Sequence, residues 1–61
     1  MTEHIDVREE VVTADVFKRC LAAGLSEDTA RQKAAAAVAA WRDRPDSDQR
    51  LAPTFARDWP I

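Results

Sequence analysis

A chain of 61 residues holds one domain at most, and at this length folding buries only about 60% of the surface the unfolded chain exposes. With 46% apolar and 33% charged residues, the composition is that of a folded globular domain, and no run nears the ~20 apolar residues that span a bilayer, so no membrane association is expected. The net charge of −2 comes without a basic stripe, which argues against a protein held mainly by nucleic-acid phosphates.

Cores this small often need a disulfide, a metal or association. Cys20 is the single cysteine, so no disulfide forms within the chain. His4 and Cys20 are the only soft ligands, so neither a metal nor another cofactor is expected. Association with a partner or a second copy remains. The first residues, Met1 to Asp6, lack the basic-then-apolar order of a signal peptide, and a lone cysteine suits a reducing compartment. The expected location is therefore cytoplasmic.

Residues 1–12 read as an N-terminal arm or short strand. Ile5 and Val7 alternate with Asp6 and Arg8, a strand pattern. Glu9 falls on the apolar side and breaks it, and Glu9 with Glu10 would equally suit an early helical start. A first helix is predicted over about 13–23. Thr13 is its candidate cap, and Asp15 puts a carboxylate where the helix dipole favours one. Val16, Phe17, Cys20 and Leu21 form its apolar stripe, with Cys20 read as a buried structural thiol. Gly24 stops it by accepting a left-handed backbone.

Ser26 caps a second helix, predicted over 27–44. Its hydroxyl can accept from the backbone N–H of Asp28 or Thr29. Glu27 and Asp28 sit at the positive end, Arg42 and Arg44 at the negative end, and Pro45 closes the segment. Ala30, Ala34, Ala37, Val38 and Trp41 share one face of the wheel. The link between the helices is so short that residues 13–44 should form a helical hairpin.

Residues 45–61 hold Leu51, Phe55, Trp59 and Ile61 with three prolines counted from Pro45. Pro53 and Pro60 favour extended backbone there, at Ala52 and Trp59 as well. One helical turn over Asp48 to Ala52 is the most regular structure expected. Alanine forms helix well but buries little, so the large tail groups are expected to pack across the hairpin and cover its alanine face. The fold class is thus mainly α: a two-helix hairpin with an extended N-terminal arm and a C-terminal tail packing across it.

No catalytic constellation emerges. Ser26 has no histidine near it in sequence, Cys20 lies on an apolar stripe, and one glycine cannot make a phosphate loop. The expectation is a non-enzymatic module that binds, and so regulates, inhibits or stabilises, a larger protein, as an accessory subunit or a phage-type inhibitor. Leu51, Phe55, Arg57, Trp59 and Ile61 are its candidate contact residues, because aromatic and arginine side chains dominate binding hot spots.

The order Ile5-Asp6-Val7-Arg8, helix, Gly24-Leu25-Ser26, helix also resembles the ribbon–helix–helix repressors of bacterial antitoxins. The resemblance spans residues 4–44. It implies an obligate homodimer, with His4, Asp6 and Arg8 on the strand facing the DNA groove and a toxin-binding tail. The chain departs from that pattern at Glu9 and Arg31, which stand where apolar residues belong, and the strand region is acidic.

Overall fold

Why the first helix begins where it does follows from its buried spacing. In the structure, a computed structural model that describes residues 7–61, helix α1 runs Val7–Ala22. Val12, Val16 and Cys20 recur every fourth residue and each is fully buried. Glu9 and Glu10 occupy the first turn, where the dipole stabilises carboxylates. Val7 and Arg8 are therefore helical rather than part of an arm or strand, and residues 1–6, with the remainder of that expected strand, lie outside the described residues. Thr13 is not a cap. It sits inside the helix, where its hydroxyl donates to the Glu9 carbonyl at 3.0 Å, a back-bond to the residue four earlier. Asp15 accordingly lies in mid-helix rather than in the first turn.

The end of α1 is as expected. Gly24 takes φ +88°, its N–H donates to the Leu21 carbonyl at 3.0 Å, and the Leu25 N–H donates to the Cys20 carbonyl at 3.0 Å. This pair of bonds satisfies carbonyls that the helix leaves orphaned. A Cβ at Gly24 would meet nothing within 4 Å, so substitution there tests backbone strain alone. Gly24→Ala should cost about 1–2 kcal/mol, read as a lower urea midpoint with an unchanged slope.

Helix α2 runs Glu27–Arg42. Ser26 Oγ accepts from the Thr29 N–H at 3.2 Å and donates to Thr29 Oγ1 at 2.9 Å. Its buried face is Ala30, Ala34, Ala37, Val38 and Trp41, the set that the wheel predicts. The helix closes at Arg42 rather than Arg44, with Asp43 as its C-cap. Helices α1 and α2 form the hairpin, and Val12, Val16 and Cys20 join the face of α2 in one core. Leu21 stands apart from the expected stripe, 45% exposed, while Phe17 is half-buried at the edge of the core.

The tail folds into helices, not extended chain. Helix α3 is Asp46–Gln49 and α4 is Ala52–Asp58. Pro53 lies in the first turn of α4, where a missing N–H costs nothing because no carbonyl awaits it. Trp59, which precedes Pro60, keeps the extended backbone expected (φ −66°, ψ 128°), and Ala52 and Pro53 do not. Helix α4 packs chiefly on α1 and only lightly on α2. It turns Ala52 and Ala56 inward, both essentially inaccessible, and the Arg19 guanidinium donates to the Ala56 carbonyl. The tail thus crosses the hairpin as expected, with Ala52 and Ala56 fully buried and Phe55 and Trp59 packed partly buried against the core, but it lies chiefly on α1. The bulk that joins the alanines of α2 in the core comes from Val12, Val16 and Cys20 of α1 and from Trp41 of α2 itself.

Trp41 is the largest fully buried side chain. Its indole N–H donates to the Gln49 carbonyl at 3.2 Å. Gln49 returns the contact: its side-chain amide donates to the carbonyls of Arg42 (3.1 Å) and Arg44 (2.9 Å), two groups freed by the end of α2. Arg8 lies over the Trp41 ring at 5.9 Å and within 4.0 Å of Asp46, which also pairs with Arg50 at 3.0 Å. One residue of α3 therefore fastens the end of α2, and α4 can be laid back on α1.

Candidate docking surface on the C-terminal helix

Two interleaved rows run along α4 with a spacing of four. Ala52 and Ala56 make the inner row. Leu51, Phe55 and Trp59 make the outer one, with Leu51 as the N-cap residue and Trp59 as the C-cap. On this helix the small residues take the fully buried row and the large ones flank it. Leu51 is 57% exposed, whereas Phe55 and Trp59 are half-buried, each resting one side on the core. The two rings lie 5.6 Å apart and tilted by 34°, within the range of favourable aromatic pairs.

Together with Pro60 these side chains line a groove of about 360 Å³. Its remaining walls are polar. Arg44, from the end of α2, places its guanidinium 5.7 Å from the centre of the Phe55 ring, a cation–π arrangement that turns its charge onto the ring. Asp48 of α3 and Asp58 of α4 stand at the wall, and among the described residues neither pairs with a cation.

Of the five contact residues expected from sequence, the groove brings together Leu51, Phe55 and Trp59. Arg57 and Ile61 are exposed but do not line it. Arg44, Asp48 and Asp58 escaped sequence reasoning: Arg44 reads as the end of the second helix, and no local pattern places Asp48 and Asp58 beside it. The row 51, 55, 59 was visible in the sequence as a helical spacing, but two prolines concealed it.

A second groove, of about 370 Å³, runs between α1 and α2 past Phe17, Ala35 and Ala39. Its charges are already matched: Arg42 Nε donates to Glu9 Oε2 at 3.2 Å, and Arg31 pairs with Glu27. Of these two grooves, the one on α4 is lined by charges without an ion-pair partner among the described residues.

Elsewhere the chemistry is sparse. Cys20 is fully buried in the core, out of reach of a substrate. His4 lies outside the described residues. Among the described residues no cluster of His, Cys, Asp and Glu could hold a metal, and no helix is long and apolar enough to cross a membrane. No family model, curated protein or solved structure matches the chain.

Proposed function

We propose that this protein is a small non-enzymatic binding module that docks on a larger protein through the outer row of α4, and so regulates, inhibits or stabilises it. The reading rests on one observation above the rest: Leu51, 57% exposed, continues into the half-buried Phe55 and Trp59, whose free edges line a groove beside a row of alanines committed to the core. Single exposed apolar residues are ordinary, but a contiguous aromatic and aliphatic row in a groove is the composition of an interface core. The fold supplies a rigid platform for it, since Arg19 and the Ala52–Ala56 row fix α4 on α1.

The test uses the tagged full chain as bait in native extract, beside a Leu51→Glu variant. Leu51 lies outside the core, so the variant should keep its helicity. A protein retained by the parent chain and lost from Leu51→Glu supports the proposal. Retention of the same proteins by both chains contradicts it. Binding of DNA by a dimer, with affinity falling steeply as salt rises, would replace it with the ribbon–helix–helix reading.

A further inference from the structure

The electrostatics of the α4 groove select among possible occupants. Its floor is apolar: Leu51, Phe55, Trp59 and Pro60. Among the described residues its one cation is Arg44, which is directed at the Phe55 face. Asp48 and Asp58 are left with no cationic partner among the described residues, and they reach the floor from different helices. Phosphate-rich nucleic acid, an anionic lipid surface and an acidic peptide would each bring negative charge against two uncompensated carboxylates. A cationic segment would instead complete them.

Taking the docking role above as its premise, we infer that the groove receives a short segment of a partner protein in which an aromatic or branched aliphatic side chain is flanked by lysine or arginine. The apolar side chain fills the space between Leu51 and the Phe55–Trp59 pair. The flanking cations meet Asp48 and Asp58. Exposed ion pairs are weak, so the floor supplies most of the affinity and the carboxylates supply the choice of sequence.

Panning the full-length chain against a random peptide library, followed by titration of the enriched peptides one at a time, tests this. Enriched sequences should carry Lys or Arg beside a large apolar residue. Their binding should weaken about threefold to tenfold in an Asp48→Asn, Asp58→Asn double variant, the size expected from losing two exposed pairs. It should be abolished by Phe55→Ala or, if that variant unfolds, by Leu51→Ser, which lies outside the core. Enriched peptides that are acidic or uncharged, and that bind the double variant as well as the parent, overturn the choice of a cationic segment while the docking surface stands. Enrichment indifferent to both Phe55→Ala and Leu51→Ser overturns the inference and the docking role together. Self-association abolished by Leu51→Ser also overturns the inference and makes a second copy the occupant.

Discussion

A Trp41→Ala chain is expected to lose about 4–5 kcal/mol of stability and most of its cooperative melting transition, the high end of what a buried ring is worth. Trp41 is 1% exposed, and most of the other buried residues of its own helix are alanines. Alanine has no rotamers with which to collapse into the space an indole leaves, so the cavity persists and its cost is paid in full. The substitution also removes the donor to the Gln49 carbonyl and the ring beneath Arg8. A domain of 61 residues has on the order of 3–9 kcal/mol in total. Circular dichroism should show a midpoint lowered by roughly 15–30 °C, or no midpoint at all. Trp41→Phe keeps most of the volume and should fall between. A Trp41→Ala chain that melts within a few degrees of the parent would place the core elsewhere.

Truncation after Arg44 is expected to be as damaging, for a different reason. It deletes no large buried side chain, because Ala52 and Ala56 are the buried residues of the tail. What it removes is closure. The flank of α1 that lies under α4 becomes wet, Arg19 loses its carbonyl partner, and the carbonyls of Arg42 and Arg44 lose the Gln49 amide. Trp41 loses its acceptor as well. Two 16-residue helices cannot stand on propensity alone in water. The shortened chain should show weak helicity that declines gradually on heating. A sharp transition near the parent's midpoint would mean that the hairpin folds without its tail.

The parts of this fold that sequence discloses are those decided within a few residues. Gly24 must adopt positive φ, Ser26 must cap, and five positions of α2 must share a face whatever lies opposite. The start of α1 was not legible because Ile5-Asp6-Val7-Arg8 is too short for a period of two to be told from the edge of a helix. Thr13 misled because a hydroxyl caps from outside a helix and back-bonds from within it, and only the distant burial of Val12 decides between these. Pro53 misled because proline ends a helix everywhere except in its first turn. In the candidate site, the aromatic content was legible. Its walls were not, since Arg44, Asp48 and Asp58 meet only after α3 has turned the chain.

Fluorine NMR of the chain labelled with fluorotryptophan tests most directly whether α4 divides its faces, with alanines fully buried and the large side chains left partly open. The two tryptophans of the sequence report on the two sides of that division, and Trp59→Phe assigns them. Exchanging water for deuterium oxide should leave the Trp41 resonance almost unmoved and shift that of Trp59 measurably. Equal insensitivity of both would mean that Trp59 is sealed in the core and that no outward row exists.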